Sequence, residues 1–238
     1  ILSFSIALFF FWTQSKRDNP SEAIQAVPTD ASFILKINDF HRFSGNLLVN
    51  SHLWKILKPF TSISRADSTI AFIDTLTSRS TIFNQLLAVN PVYISLHVQG
   101  VNNLELLATA KIPPQMSKKD ICREVEQFTK KHYKIIEREY NDITISTIVD
   151  SSHSKELFSF AIFRGIVICS ATTNLVKSSI LQLASHTSLT NNPSFLSISH
   201  TAGTKVDANL YINNEKIPAT FSHFFKQPYC SGITTFAD

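Results

Sequence analysis

The sequence predicts an α+β fold that has a mainly antiparallel sheet, a helical insert and a strand–helix unit used twice. Three observations support this. Short segments in which apolar and polar residues alternate are joined in pairs by tight-turn residues, and strands joined in that way run antiparallel. Between them lie segments with apolar residues at every third or fourth position, which is the pattern of amphipathic helices. A strand pattern between Asp-Ala and Asn occurs twice, at 30–38 and at 207–213.

The chain opens with an apolar segment, residues 1–12, in which Ser3 and Ser5 are the polar exceptions. A helix of this length rises about 18 Å, whereas the hydrocarbon core of a bilayer is about 30 Å thick. We therefore interpret residues 1–15 as the truncated part of an N-terminal transmembrane anchor, followed by a polar linker at 16–25. A cleaved signal peptide and an ordinary core element are the alternatives, although no small-residue cleavage site follows the segment.

The first strand–helix unit follows the linker. Pro28 and Asp30 indicate a turn, residues 33–37 an apolar strand, and Asp39 the N-cap of a helix. The second unit, at 207–214, leads into a Phe-rich helix pattern. The unit is therefore predicted to occur near both ends of the domain.

A helical insert separates the first strand from the rest of the sheet. After the helix that begins behind Asp39, further helix patterns occur at 51–58, around 63–76 and at 81–89. Asn90 and Pro91 end the last of them. The insert is thus predicted to contain four helices.

The remaining elements alternate between hairpins and helices. Three hairpins are predicted, at 92–98 with 104–111, at 133–140 with 143–149, and at 157–163 with 166–170. Ser117 and Asp120 form a capping-box pattern before a helix that ends near Lys131, and Thr173 is the predicted cap of another helix. The α+β domain is therefore placed at 26–238, and we expect the chain to continue beyond it.

Two segments resemble a known bacterial family. They read Pro-Thr-Asp-Ala-Ser-Phe-Ile-Leu-Lys-Ile-Asn-Asp at 28–39, shortly after the apolar segment, and Asp-Ala-Asn-Leu-Tyr-Ile-Asn at 207–213. The family is that of membrane-anchored envelope proteins catalogued as domain of unknown function 3352, which the chain resembles in its N-terminal part. The resemblance implies a single-pass protein of the inner membrane whose domain faces the periplasm, and it supplies no catalytic motif. Lys16 and Arg17 oppose this orientation, because positive residues favour the cytoplasmic side.

Composition excludes several classes of site. The five glycines are far apart, so no glycine-rich phosphate loop or nucleotide fingerprint is present. The eight histidines include no pair at the i, i+4 spacing of a helical metal site, and no Gly-x-Ser-x-Gly motif marks a hydrolase nucleophile. The three cysteines form no Cys-x-x-Cys pair, and a formal charge of +4 does not demand an anionic partner. We therefore predict no catalytic residue, no metal and no cofactor.

Tyr93 and His97 are candidates for a binding site. They share one face of a predicted strand with Ser95 and Gln99, and these four side chains could line a groove. The alternative is a solvated sheet face.

Glu137 and Glu139 also share one face of a predicted strand, whereas Arg138 points the other way. Paired carboxylates can perform acid–base chemistry when a cleft raises the pKa of one of them. The alternative is surface charge, because no nucleophile or sugar-stacking aromatic residue lies nearby in the sequence.

A basic cluster surrounds the predicted helix at 117–131. Its members are Lys118, Lys119, Arg123, Lys130, Lys131 and Lys134. Lys130 and Lys131 are the candidates for a contact with anionic lipid headgroups, and a solvated helix face is the alternative. No nucleic-acid partner is expected, because Tyr133 alone supplies too little stacking surface.

These observations favour a noncatalytic, membrane-tethered envelope domain that binds or assembles with a protein or an envelope polymer. The first alternative is an enzyme that acts on an envelope substrate through a shallow site at Glu137 and Glu139 or at His97. The second is a basic module that binds a lipid surface. A closed pocket in which these residues converge would favour the enzyme, whereas an open sheet with apolar patches would favour an interaction role.

Overall fold

One antiparallel sheet organises the protein. The computed structural model describes residues 22–57, 70–71, 73–100, 103–129, 133–152, 156–185, 187–203 and 205–221. Within these ranges the strands are β1 (Phe33–Ile37), β2 (Val92–Gln99), β3 (Asn103–Lys111), β4 (Tyr133–Tyr140), β5 (Ile143–Asp150), β6 (Glu156–Phe163), β7 (Ile166–Ser170) and β8 (Ala208–Ile212). Their order across the sheet is β4-β5-β6-β7-β3-β2-β1-β8, and all neighbours in this order are antiparallel. The predicted α+β class with its mainly antiparallel sheet is therefore confirmed.

Helices connect the strands. They are α1 (Phe40–Gly45), α2 (His52–Leu57), α3 (73–79), α4 (Thr81–Val89), α5 (Lys118–Thr129), α6 (Thr173–Ala184), α7 (Pro193–Thr201) and α8 (Ile217–Phe221). A π-helical turn at Asn46–Asn50 extends α1, and one-turn 3-10 helices lie at Ala23–Ala26, Leu189–Asn191 and Asn214–Lys216. Helices α1 to α4 occupy the predicted insert, of which residues 58–69 lie outside the described part of the chain.

Local turn chemistry sets two of the hairpins. Asn141 and Asp142 join β4 to β5 with φ values of 51° and 61°. Arg164 and Gly165 join β6 to β7 with φ values of 49° and 74°. Positive φ at both central residues is the geometry of a two-residue type I′ turn, whose twist matches that of the flanking strands. The predicted hairpins are confirmed at both places, and β2 with β3 forms the third.

Two predicted helix starts are confirmed and one is wrong. Asp39 caps α1 by accepting a hydrogen bond from the Arg42 N–H at 3.0 Å, and Ser117 with Asp120 forms the capping box of α5. Thr173, however, is the first residue of α6 and not its cap. Its hydroxyl lies 2.8 Å from Ser159 Oγ on the sheet below, so it is used for packing α6 onto β6.

The sheet has a covered core on each face. On the face that we call the α6 face, strand residues pack against α6 and the turn Ala23–Ala26. The strand residues there are Leu107, Ile145, Ala161, Ile166 and Ile168. On the opposite face, which we call the α5 face, Val92, Ala110, Ile148 and Phe160 pack against α4 and α5. Strands β3, β5, β6 and β7 therefore contribute residues to both cores.

The domain begins earlier than its predicted boundary. Ala23 and Ile24 fall within the predicted linker at 16–25, yet their exposed fractions are 2% and 7%. The Thr109 hydroxyl donates to the Ala23 carbonyl at 2.9 Å, which holds this turn against β3. The end of the predicted linker is therefore part of the folded domain, because short apolar side chains there cover the α6 face.

The two strand–helix units lie side by side. Strands β1 and β8 pair with Leu35 opposite Leu210. The Asn38 N–H donates to the Asp207 carbonyl and the Asn213 N–H donates to the Ser32 carbonyl, each at 2.9 Å. In both units, the residue that follows the strand is therefore hydrogen-bonded to the residue that precedes the strand of the other unit. An approximate two-fold axis therefore relates the units and passes between Leu35 and Leu210.

Candidate functional site

Strand β2 carries a buried chain of polar side chains. Ser95 Oγ lies 2.8 Å from His97 Nε2, and His97 Nδ1 lies 2.9 Å from Asp30 Oδ1. Ser95 and His97 are two residues apart on one strand, so both point toward the α6 face. Asp30 comes from the turn that precedes β1. The order serine, histidine, aspartate is that of a hydrolase triad.

The serine is buried and the aspartate is exposed, which is the opposite of the arrangement in a working triad. The exposed fractions of Ser95 and His97 are 0%, whereas the Asp30 side chain is 54% exposed. A triad serine has to reach a substrate carbonyl, and its aspartate is the buried member. Ser95 is therefore placed to anchor His97, and the carboxylate is the group that faces solvent.

The interpretation of the His97 face as solvated is thus wrong. The turn at Ala23–Ala26 and the residues up to β1 fold back over this end of the α6 face. A small core forms there from Ile24, Val27, Ala31, Ile34, Leu189 and Tyr211, and the partly buried Tyr93 packs against it. The predicted groove along Tyr93 and His97 is filled by the chain's own residues.

Hydrogen bonds link the side chains of Ser95, His97 and Asp30 and influence the pKa of the Asp30 carboxyl. A neutral imidazole satisfies both contacts when its Nδ1–H donates to Asp30 and its Nε2 accepts the Ser95 hydroxyl. The hydrogen bond with His97 holds the pKa of the Asp30 carboxyl below its usual value, although partial burial opposes the shift. Glu105 lies directly across from His97 on β3, and burial raises the pKa of its carboxyl.

The predicted carboxylate site lies elsewhere. Glu137 pairs across the sheet with Ser146, and the register through β6, β7 and β3 places both on the α5 face. His97 is on the other face, and β2 is five strand spacings, or about 24 Å, from β4. The candidate acid–base residues therefore do not form one site.

Glu137 instead borders a small cavity beside α5. The cavity measures about 90 Å³ and is lined in part by Lys118, Cys122, Ser146 and Phe160. Burial raises the pKa of the Cys122 thiol, which keeps it protonated and weakly nucleophilic. Glu137 and Glu139 are both exposed. This favours the surface-charge interpretation of the pair.

The basic cluster is described in part. Arg123 is paired with Asp120 at 2.5 Å, and Lys118 lines the cavity beside Glu137. Lys130 and Lys131 lie outside the described residues. Their predicted contact with lipid headgroups therefore stays a prediction.

Sequence reasoning missed an exposed apolar surface. Leu106, Leu96, Phe33 and Ile212 stand directly opposite one another across β3, β2, β1 and β8. The next row contains Leu35 and Leu210. These six residues form what we call the open face, which lies on the α5 side of the sheet. Leu106, Leu210 and Ile212 are 54%, 58% and 46% exposed.

The open face arises from the positions of the helices. Helices α4 and α5 cover the end of the sheet that contains Val92 and Ala110. Leu96 and Leu106, farther along β2 and β3, do not belong to this cluster, and Leu106 is exposed. Alternating apolar residues in β8 were the available signal, but alternation alone does not tell which part of a face a helix will cover.

Comparisons with models of protein families, with curated proteins and with solved structures found no match to this chain. The predicted relation to the family of domain of unknown function 3352 stays a prediction. Within the described ranges, no three His, Cys, Asp or Glu side chains gather in a way that could hold a metal ion. No helix in the described part of the chain is long and apolar enough to cross a bilayer, and the predicted anchor at 1–15 lies outside that part.

Proposed function

We propose that the protein is a noncatalytic binding and assembly domain whose partner is another polypeptide. The observation that carries the proposal is the open face, where exposed apolar side chains lie on the edge strand β8 and on its neighbours across the sheet. Contiguous apolar surface of this kind is typical of protein–protein contact sites. Covering a half-exposed Leu210 or Ile212 would contribute roughly 1 kcal/mol each to binding.

The edge itself supports a strand as the contacting element. Among the described strands β1 alone pairs with β8, and the β8 sequence Ala-Asn-Leu-Tyr-Ile contains no Pro, Lys or other charged residue. Natural edge strands are usually protected by such residues, because free N–H and C=O groups recruit other strands. The approximate two-fold axis also supports the addition of a strand to β8. It relates the unpaired edge of β8 to the edge of β1 that pairs with β2, so a strand already occupies the equivalent position on β1.

Strand addition would combine two kinds of contact. Main-chain hydrogen bonds to β8 supply affinity, and alternate side chains of the added strand would pack beside Leu210 and Ile212. The partner we propose is therefore a protein with an extended segment of alternating apolar residues. A polysaccharide would lack the regular backbone N–H and C=O groups that this mode requires.

The particular setting we propose is the bacterial envelope. Residues 1–15 would anchor the chain in the inner membrane by a single helix, and the domain would face the periplasm. The apolar composition of residues 1–12 and the resemblance to the 3352 family support this setting. Release of the intact protein from membranes by alkaline carbonate, or its resistance to protease in cells with a permeabilised outer membrane, would contradict it.

The enzyme alternative has weaker support. It needs a substrate to reach the proposed acid–base groups. Ser95 and His97 are fully buried, and Glu137 is on the opposite face of the sheet. A lipid-surface role for Lys130 and Lys131 rests on sequence alone.

Site-specific photo-crosslinking tests the proposed partner contact. A benzophenone-bearing phenylalanine would replace Leu210 in the full-length protein, expressed in its own membrane. We expect an ultraviolet-dependent covalent adduct with a second polypeptide, which mass spectrometry would identify. Leu181 on α6 is the matched control, because it is the same residue type with 46% exposure and belongs to the helix on the other face. Equal crosslinking at both positions, or none at position 210, would contradict the proposal.

A further inference from the structure

The backbone groups on the outer side of β8 belong to alternate residues. The Asn38 N–H donates to the Asp207 carbonyl and the Asn213 N–H donates to the Ser32 carbonyl, so Asp207 and Asn213 direct their backbone groups toward β1. In an antiparallel pair this direction alternates from one residue to the next. The residues whose N–H and C=O groups point away from β1 are therefore Ala208, Leu210 and Ile212.

The two edges of the described sheet differ in charge. The other edge strand, β4, contains Lys134, Glu137, Arg138 and Glu139, and charges of this kind commonly prevent the addition of a further strand. Strand β8 contains no charged residue. Pairing of β4 in one copy with β8 in another would produce an open filament, whereas pairing of β8 with β8 closes after two copies. The charges on β4 therefore favour the closed arrangement.

Exposed apolar side chains occur on both sides of the sheet at this edge. On the α5 face they are Leu210 and Ile212 of the open face. Tyr211 points to the other face, where the ring of Phe195 on α7 lies 5.3 Å from its ring, centre to centre. Helix α7 therefore packs beside β8. Further exposed apolar residues on α7 and just before β8 are Leu196, Ile198 and Val206.

We infer that the partner at the β8 edge of the open face is a second copy of this chain, and that the two β8 strands pair antiparallel about a two-fold axis at Leu210. This inference rests on the function proposed above, because it names the occupant of the same surface. Strand β8 itself is an extended segment with alternating apolar residues, which is the kind of partner that the edge requires.

The axis makes the outer side of β8 complementary to itself. The outward N–H and C=O groups of the two strands face one another, with Leu210 opposite Leu210 of the second copy. Ala208 faces Ile212 of the second copy, so a small side chain lies beside a large one. The same operation brings α7 of one copy to the same side of the joined sheet as α7 of the other.

The charges that flank β8 are complementary as well. Lys205 and Glu215 are both exposed, and each is five residues from Leu210. The two-fold axis therefore brings the end of β8 that follows Lys205 close to the end of the second β8 that precedes Glu215, and charges of opposite sign favour this orientation. The other flanking charges interact within their own chain, Asp207 with Arg42 and Lys216 with Asp30.

Disulfide crosslinking of the full-length protein tests this arrangement. Leu210→Cys places a thiol at the axis, where the two Cα atoms of a hydrogen-bonded antiparallel pair lie about 5.5 Å apart, within the range that a disulfide spans. Oxidation with copper phenanthroline should give a covalent dimer. Leu181→Cys on α6 is the matched control, because Leu181 is 46% exposed and lies on a helix that packs on other strands. We expect several-fold more dimer from Leu210→Cys.

The register supplies a second measurement. Copies with Ala208→Cys should crosslink to differently tagged copies with Ile212→Cys, because these positions face each other across the axis. Neither variant should crosslink well to itself, since its two thiols would lie about 14 Å apart along the strands. The unmodified protein, treated in the same way, measures the crosslinking that its own three cysteines produce.

Strong dimer formation by Leu210→Cys, together with the mixed 208–212 crosslink, would support the second copy as partner. Equal crosslinking of Leu210→Cys and Leu181→Cys, or self-crosslinking of Ala208→Cys as strong as the mixed reaction, would overturn it. The photo-crosslinking experiment at position 210 separates this inference from the proposed function. An adduct with a different polypeptide would remove the second copy and keep the proposed function, whereas no adduct would remove both.

Discussion

Arg42 Nε lies 2.9 Å from Asp207 Oδ1, and this ion pair joins the helix after β1 to the residue before β8. Asn46 donates to the other oxygen of the same carboxylate at 2.5 Å. On the related side of the two-fold axis, the Thr220 hydroxyl donates to Ser32 Oγ at 2.7 Å, which joins α8 to the residue before β1. The helical segment of each strand–helix unit thus contacts the residue that precedes the strand of the other unit.

Replacing Asp207 tests how much its contacts with Arg42 and Asn46 contribute to stability. Asp207→Ala should lower the free energy of unfolding by about 1–2 kcal/mol, because Arg42 and Asn46 both lose a charged acceptor. Urea denaturation would measure the change. Glu156→Ala is the control, since it breaks an exposed pair with Arg138 and should change stability by less than about 0.5 kcal/mol. Equal effects of the two substitutions would show that the junction of the units adds no stability.

The buried polar chain at β2 should respond strongly to truncation. His97→Ala leaves a cavity and removes the partner of both Ser95 and Asp30, so we expect a loss of about 2–4 kcal/mol. Ser95→Ala should cost about 1–2 kcal/mol, since it leaves the buried His97 Nε2 without its hydrogen-bond partner. In the double variant the losses should not add, because the two residues share one hydrogen bond.

Ser197→Ala on the exposed side of α7 is the control for these measurements and should be close to neutral. Additive losses in the double variant would contradict the coupling between Ser95 and His97. A loss below about 1 kcal/mol for His97→Ala would contradict its role as a buried structural group.

Acid should weaken the contact between Asp30 and His97. The folded-state pKa of the Asp30 carboxyl is lowered from the ordinary value of 3.8, chiefly by its hydrogen bond with His97. A lowered folded-state pKa means that its stabilising contribution is complete above about pH 3.8 and is lost as the pH falls through the folded-state value. Stability should therefore decline more steeply below about pH 4 in the unmodified protein than in Asp30→Asn.

Urea denaturation at a series of acidic pH values would measure both curves. Some decline should persist in Asp30→Asn, because the pKa of Asp120 is also lowered, first by its hydrogen bond from the Ser117 side chain. Curves of identical slope would argue against a linkage between Asp30 and folding.

Two glycines should respond to the same substitution with opposite signs. Gly165 has a φ of 74°, and a Cβ added there would meet no atom within 4 Å. Gly165→Ala should therefore destabilise the protein by about 1 kcal/mol through backbone strain alone. Gly45 lies in α1 and also has open space around an added Cβ. Gly45→Ala should stabilise by about 0.5–1 kcal/mol, because alanine favours the helix.

Thermal unfolding of the two variants against the unmodified protein would measure these shifts. Destabilisation by both substitutions would mean that space around Gly45 is more restricted than the structure describes. Stabilisation by both would contradict the left-handed conformation at Gly165.

Local features were predictable because their causes lie within a few residues. Asn141-Asp142 and Arg164-Gly165 indicated hairpins since these residue pairs tolerate or favour positive φ. Asp39 indicated a helix start because its carboxylate can accept a hydrogen bond from the backbone N–H of Arg42, three residues later in the first turn of the helix. In each case the residues responsible lie within about three positions of one another, so the local sequence contains the cause.

The environment of His97 was not predictable in the same way. Its polar neighbours in β2 made the strand face look solvated. The cover comes from residues 23–31, which precede β1, and from Leu189, which is distant in the sequence. No local pattern states which segment will lie over a given strand.

The amino-acid sequence by itself determined the strands, the hairpin turns, most helix starts and the antiparallel class of the sheet, since these follow from short-range hydrogen bonds and side-chain period. Only the tertiary structure decided that β1 and β8 are neighbours, that Ser95 and His97 are buried, and that Leu106, Leu210 and Ile212 are exposed. The physical reason is that burial is a property of long-range packing. A side chain is buried when a distant segment covers it, and that segment is chosen by the whole chain.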